Sequence, residues 1–303
     1  MSSTPRGETS HAAPTQRRRE VLLLLGPAVV YLLAFSIYPL VVSLVRSFSS
    51  YDSQSGDWTW IGFGNYRELF TSADFWDVVG NTAVLTFAGV AIKIVLGTAL
   101  ALFFNQQLRG ATIVRGILVL PMLLTPVVVG LMWRALLNPE WGLLNWIFVE
   151  VGVGNVGWLS DPSVALWTLV VVDSWQWTPF VFVILYARLQ ALPVEVFEAS
   201  AVDGASWFQR TRLITLPLLV PAIVFAAVFR GIDAFRTFDL VYGLTNGGPV
   251  QATSTLSFEA FQNGFEFFRY GYASAIAYVM VIVAAVGVTI LFRVVNPRRL
   301  ETA

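Results

Sequence analysis

Six long, largely apolar runs constrain this 303-residue chain more than any other feature of its sequence. They lie at about 20–46, 80–104, 112–137, 164–187, 213–237 and 272–294. As helices rising about 1.5 Å per residue, runs of twenty or more residues span the roughly 30 Å of hydrocarbon in a bilayer. Composition agrees: 56% of residues are hydrophobic and 13% charged, where soluble domains carry about a quarter charged. The mean hydropathy is +0.68. The expected fold is therefore an all-α integral membrane protein with six transmembrane helices. Gly26-Pro27 and Tyr38-Pro39 are expected to bend the first. That run is longer than a signal-peptide core and no small-residue cleavage site follows, so it reads as an uncleaved span.

Arginine placement gives the expected orientation. With the N-terminus inside, the cytoplasmic segments hold twelve arginines: Arg6, Arg17, Arg18, Arg19, Arg109, Arg115, Arg188, Arg210, Arg212, Arg293, Arg298 and Arg299. The outer segments hold three: Arg46, Arg67 and Arg269. Both termini are thus expected in the cytoplasm. Residues 1–19, rich in Ser, Thr, Pro and Arg, read as a disordered tail, 20–296 as one transmembrane domain and 297–303 as a short second tail.

Several chemistries are excluded. A net charge of zero argues against nucleic acid as a partner. Cysteine is absent and the single histidine, His11, lies in the polar tail, so no catalytic or metal-ligating set is expected. No G-x-x-x-x-G-K-[ST] occurs, and Lys93, the only lysine, follows Ile92. The chain itself is expected to bind no cofactor. If ATP drives it, another subunit binds the nucleotide.

One polar island, residues 193–212 between the fourth and fifth runs, is built as more than a connector. Pro193 suits the first position of a helix, and Val194, Phe197 and Ala201 then share a face. Asp203-Gly204 supplies a break. Ser206-Trp207-Phe208-Gln209 reads as a capping box that restarts a helix. The expectation is a helical elbow at the cytoplasmic surface.

Within that island, Glu198-Ala199-Ser200-x-x-Asp203-Gly204-Ala205, followed by Ile214-x-Leu216-Pro217, resembles the "EAA" loop of permease subunits of binding-protein-dependent ABC importers. Ser200 stands where the family form has a second alanine. Gly62-Phe63-Gly64-Asn65-Tyr66 and the stretch Phe238-Asp239 to Gly247-Gly248-Pro249 resemble further segments of carbohydrate-type permeases. The end at Arg298-Arg299-Leu300-Glu301 is similar to the first of two permease types, that of the maltose and glycerol-phosphate importers, though the chain has no large insertion between early spans.

The resemblance implies a permease in the bacterial inner membrane, working by ATP-driven alternating access. It further implies that Glu198, Ala199, Ser200, Asp203, Gly204 and Ala205 couple as a docking helix to a dimeric ATPase subunit. The other partners implied are a second permease subunit in a heterodimer, an extracytoplasmic solute-binding protein, membrane lipids and a small polar solute. That solute would be a sugar, a polyol or a sugar- or glycerol-phosphate-like molecule. A stand-alone secondary transporter is the alternative; a single deep carboxylate, no visible inverted repeat and the unexplained loop weigh against it.

Charges inside the runs are candidates for the solute pathway. Asp173 lies about 14 Å below the outer surface by helical rise, with Gln176 and Trp177 on its face at i+3 and i+4. Arg230, Asp233, Arg236 and Asp239 alternate in sign every three residues. The proposed pathway residues are Asp173, Gln176, Trp177, Arg230 and Asp233, with Arg230 deepest in its span and available to pair with Asp173. Two bland readings stay open: a polar helix–helix contact at Asp173, and a ladder of i,i+3 pairs in the fifth run. Lys93 is expected to snorkel to the cytoplasmic boundary about 10 Å away, without a role. Arg134 reads as an interfacial anchor, and the aromatic cluster of loop 47–78 as an interfacial belt or an outer docking element.

Overall fold

The computed structural model describes residues 25–106 and 110–295; the expected tails 1–19 and 297–303 and the residue Arg109 lie outside it. Five of the described helices are long and apolar enough to cross a membrane: α1 (Leu25–Ser47), α3 (Ala73–Phe104), α7 (Pro162–Gln190), α9 (Trp207–Phe235) and α12, whose qualifying part is Tyr270–Thr289. A sixth span exists only if a bent pair, α4 (Ala111–Leu123) and α5 (Pro126–Leu136), counts as one, for they meet at 100°. The continuous third helix expected over 112–137 is thus corrected to a broken one. Proline is the cause. Leu120–Leu123 tightens to a 3-10 turn around Pro121, and Thr125, forced out of the helical region by the ring of Pro126, is extended at ψ 139. Pro126 then restarts the helix at its first turn, where a missing N–H costs nothing.

The chain is not wholly helical either. Just past α1, β1 (Ser49–Tyr51) pairs antiparallel with β2 (Trp58–Trp60) in the register Ser49↔Trp60, Ser50↔Thr59, Tyr51↔Trp58. The short helix α2 (Gly64–Thr71) follows. Asn65 is buried, and its amide donates to the carbonyls of Ser47 at 2.8 Å and Ser49 at 3.0 Å. Tyr66 Oη lies 2.8 Å from Ser47 Oγ. The Gly-x-Gly-Asn-Tyr stretch therefore fastens the hairpin to the end of the first span. Of its aromatic neighbours, Phe63 and Trp60 are exposed while Phe75 is buried.

The centre of the molecule is the pairing of α3 with α7. On α3 the residues Gly89, Lys93, Gly97 and Ala101 recur every fourth position and all are buried, a small-residue stripe interrupted by one lysine. The approach is close: a Cβ on Gly97 would lie 2.6 Å from Val181 Cγ1 of α7. The spans α3, α7 and α9 share an apolar cluster around Phe182, Leu185 and Leu219. Nearer the other end of α7, the short helix α10 (Asp239–Leu244) packs on α5, where Gly130 and Gly243 let the backbones touch. Two further short helices lie outside the elbow, α6 (Leu143–Glu150) and α11 (Leu256–Phe261), the latter followed by a π turn at Gln262–Glu266.

The elbow takes the expected form in its main parts. Helix α8 (Val194–Val202) ends at Gly204, whose φ of +73° suits a residue without a Cβ. Ala205 N–H donates to the Ser200 carbonyl and Gly204 N–H to that of Ala201, the paired bonds of a Schellman stop. Ser206 and Gln209 form the capping box in both directions. Pro193, expected at the first helical position, is instead the N-cap at ψ 129. The helix that starts at Trp207 does not stop. It passes through a π turn at Thr211–Thr215 and runs on as α9 to Phe235.

Candidate functional site

The deep charges of three spans meet in one cluster. Asp173 of α7 is 1% exposed, and Lys93 of α3 donates to its Oδ2. Arg230 of α9, also 1% exposed, brings Nη2 to 3.8 Å from Asp173 Oδ1. Its Nη1 donates to Asp233 Oδ2 at 2.5 Å, and Asp233 Oδ1 lies 3.8 Å from Arg236 Nη2. The guanidinium carbon of Arg230 sits 4.2 Å over the ring of Trp177, a cation–π contact in a desolvated place. A chain of alternating charge thus runs from Lys93, fully buried, to Arg236, with 71% of its side chain exposed.

A cavity of about 160 Å³ opens against this chain. Asp173, Trp177, Asp233, Arg236, Thr237 and Asp239 line it, with Pro126 at the restart of the broken span. Lys93 and Arg230 do not; they stand behind the wall. A much larger concavity, about 1320 Å³, lies between α3, α4 and α7, but its lining is almost wholly apolar. A solute rich in hydroxyls would find little there beyond Ser174 and Thr178, so the smaller polar cavity is the better candidate.

Of the residues picked from sequence, Asp173, Trp177, Arg230 and Asp233 come together, and both i,i+3 pairs centred on Asp233 form. Gln176 does not join them. It is fully buried, and its Nε2 donates at 3.0 Å to the carbonyl of Leu124. That carbonyl sits at the break between α4 and α5, where the helical pattern that would have satisfied it is interrupted. Lys93 corrects the expectation more strongly. It does not snorkel; it is the counter-ion of Asp173. The signal for it was the stripe itself, because a lysine among small residues at four-residue spacing points at a neighbouring helix and must find a partner there. Arg134 is exposed, near the end of α5.

At the elbow, Glu198, Ala199, Asp203 and Gly204 are exposed, Ala205 is half-buried and Ser200 is buried. The Ser200 hydroxyl donates to the Phe197 carbonyl at 2.8 Å, so a serine here needs no other partner. Phe197 packs against the apolar core of the spans. Val202, Trp207 and Phe208 remain exposed, Val202 at 89%. The elbow thus presents an apolar, acidic-flanked surface anchored from beneath.

Comparison with known proteins places these features in context. The family described as "Binding-protein-dependent transport system inner membrane component" matches residues 93–301. The trehalose/maltose transport system permease protein of Thermococcus litoralis is 35% identical over 89% of this chain and 91% of its own length. The sulfoquinovosyl glycerol transport system permease protein of Agrobacterium fabrum is 33% identical over 91% of this chain and 90% of its own. Among solved structures, a chain of a bacterial ABC transporter involved in import of the acidic polysaccharide alginate superposes with a TM-score of 0.81. It covers 92% of this chain and 96% of that one at 24% identity, a likeness of fold.

Proposed function

Because the chain belongs to the inner membrane components of binding-protein-dependent transport systems, we propose that its elbow is the coupling helix and its charged cavity the solute path of a sugar importer. The protein is a multi-pass permease subunit of an ABC importer, served by a periplasmic binding protein, and ATP hydrolysis belongs to a separate subunit. Both termini and the elbow face the cytoplasm in this reading, which the arginine distribution supports. The solute is a sugar, a polyol or a sugar-phosphate-like molecule. Relatives named for trehalose/maltose and for sulfoquinovosyl glycerol support that class.

The single observation that carries the coupling role is the unbroken helix from Trp207 to Phe235. From Trp207 to Arg230 is roughly 35 Å by helical rise. A push on the elbow is passed along α9 to the residue that braces the cavity wall. Closure of a nucleotide-bound ATPase dimer would supply the push, with Glu198 and Asp203 toward basic residues of its groove and Val202, Trp207 and Phe208 buried on docking. Lipid covers the outer faces of the spans. A second permease subunit is supported by size: a cavity of about 160 Å³ lies below the roughly 300–1,000 Å³ of ligand sites, and a second subunit's wall would complete it into a heterodimeric path.

Glu198→Ala and Gly204→Trp test the reading. Glu198 is exposed and takes part in no ion pair among the described residues, so its loss leaves the fold intact. A tryptophan at the positive-φ Gly204 is strained and bulky. In the reconstituted complex both variants are expected to lose solute-stimulated ATP hydrolysis and uptake while still entering the membrane. Stimulated hydrolysis at the unaltered level in both variants refutes the coupling role.

A further inference from the structure

We propose that Lys93 is a positioning residue for the solute cavity, holding Asp173 from behind as a fixed, charged acceptor, and that a wall built this way selects an uncharged, hydroxyl-rich solute. The proposal rests on the reading of the cavity as the solute path.

Which charges face the cavity and which stand behind it decides the matter. Asp173, itself only 1% exposed, lines the cavity with Asp233, Asp239 and Arg236, whereas Lys93 and Arg230 are not part of its lining. Lys93 binds one carboxylate oxygen of Asp173, Oδ2. The other, Oδ1, meets Arg230 only at 3.8 Å, beyond hydrogen-bond reach. Asp173 therefore keeps an acceptor for something that enters. Gly89, one turn from Lys93, leaves room for the pair: a Cβ there would come within 3.3 Å of Asp173 Oδ2 and 3.4 Å of Lys93 Nζ. The neighbours of Lys93 at four-residue spacing are Gly89 and Gly97, chosen for close approach. A lysine in such a row has no packing purpose, and an unpaired buried charge is costly in either partner. Its purpose is the carboxylate.

Arg230 acts alike on the second wall residue, Asp233, while Trp177 covers its guanidinium face. Only its Nη1 donates, to Asp233, while Nε and Nη2 are buried without a hydrogen-bond acceptor, and Arg230 is not among the residues that line the cavity. A solute thus meets three carboxylates, the Trp177 ring and the Thr237 hydroxyl, with Arg236 the only lining cation among the described residues. Ionised carboxylates accept hydrogen bonds and donate none, so sugar hydroxyls complement this wall. A phosphate, carboxylate or sulfonate group brings further acceptors to a wall of acceptors and no donor for them.

The test uses the whole importer, both permeases with ATPase and binding protein, in proteoliposomes. The uncharged probes are trehalose, maltose and lactose; the anionic ones are trehalose 6-phosphate and glucuronate. Uptake per ATP hydrolysed is the readout, because loss of packing alone lowers the amount of complex rather than this ratio. ATP-driven uptake of at least one uncharged probe and of neither anion is expected. Lys93→Met is expected to lower the ratio about tenfold, since breaking a buried pair strands the other charge. Lys93→Met combined with Asp173→Asn is expected to return it to within about threefold, since asparagine keeps an acceptor and needs no counter-ion. ATP-driven uptake of either anion, or a wild-type ratio in Lys93→Met, overturns the proposal while leaving the importer reading intact. A yield of complex lost in Lys93→Met and not recovered in the double variant makes Lys93 a packing residue and also overturns it. ATP-independent uptake of any probe refutes the importer reading itself, whereas ATP-driven uptake of none of them overturns the proposed selection and leaves that reading intact.

Discussion

Replacing Gly97 with alanine adds one methyl group at the tightest point of the central helix pair, and the structure says how far the helices must part. The new Cβ would lie 2.6 Å from Val181 Cγ1, 2.7 Å from Val181 Cβ and 3.1 Å from the Phe182 backbone nitrogen. Carbon atoms rest about 3.5–4.0 Å apart, so the overlap is close to 1 Å, and two of the three atoms cannot rotate away. Either α3 and α7 separate or Val181 is forced from its place, at a cost typical of overpacked cores, about 1–3 kcal/mol. Separation also reaches function, because Lys93 lies one turn from Gly97 and joins Asp173 across this interface. We expect Gly97→Ala in detergent-solubilised complex to unfold at a lower temperature and to transport more slowly. Val181→Ala removes Cγ1 but not Cβ, so in combination with Gly97→Ala it should recover part of the loss. Val181→Gly removes both side-chain atoms, leaving only the Phe182 nitrogen close, and should recover more, less about 1 kcal/mol for a glycine within a helix. An unaltered unfolding midpoint and rate in Gly97→Ala refute the close approach of α3 and α7.

Two other substitutions isolate features that hydropathy does not show. Gln176→Leu removes the only described side-chain donor to the Leu124 carbonyl and leaves that group unpaired at the break. We expect a loss of about 1–3 kcal/mol, read as a lower melting temperature, with the choice of solute unaltered; a changed solute preference would instead put Gln176 in the path. Asn65→Ala strips two carbonyls, those of Ser47 and Ser49, of one buried amide. The loop between α1 and α2 should then become a preferred cleavage site under limited proteolysis, and equal protection in the variant would show that Asn65 does not hold it.

Most of the fold was legible because a bilayer makes length and hydropathy nearly sufficient. The spans at Leu25–Ser47, Pro162–Gln190 and Tyr270–Val295 fall close to where the apolar runs lie. Hydropathy is blind to what backbone hydrogen bonding does within a run, so the bend at Leu124 passed unseen, although Pro121 and Thr125-Pro126 marked it. It is equally blind to strands of three residues, and Ser49–Tyr51 with Trp58–Trp60 show too little alternation to announce a hairpin. Nor do the apolar runs mark their own ends. The second span starts at Ala73 rather than near 80, and the fifth at Trp207 rather than near 213, because polar residues extend a helix that apolar ones began. The elbow was the reverse case. Its stop and restart are written in local chemistry, Asp203-Gly204 and Ser206 with Gln209, which acts over a few residues and needs no tertiary partner.

The charged cluster shows where helical spacing stops being enough. Relative to Asp173, a residue at i+3 and one at i+4 lie on opposite sides of the shared stripe, about 100° apart. Trp177 therefore turns toward Arg230 and the cavity, while Gln176 turns toward the broken span. In an isolated helix the two would share one face; here α7 has different neighbours on its two flanks. Lys93 departs from its expected place for a related reason: its position in the row Gly89, Gly97, Ala101, and not its distance from the membrane boundary, decides where it points. Depth along a helix says whether a charge can reach water; azimuth says whether it faces lipid or protein. For a residue in a small-residue stripe the azimuth wins, because a side chain pressed between two backbones has no path along which to snorkel. A buried acid and a buried base on spans eighty residues apart, each on the contact face of its own helix, are then read as a pair.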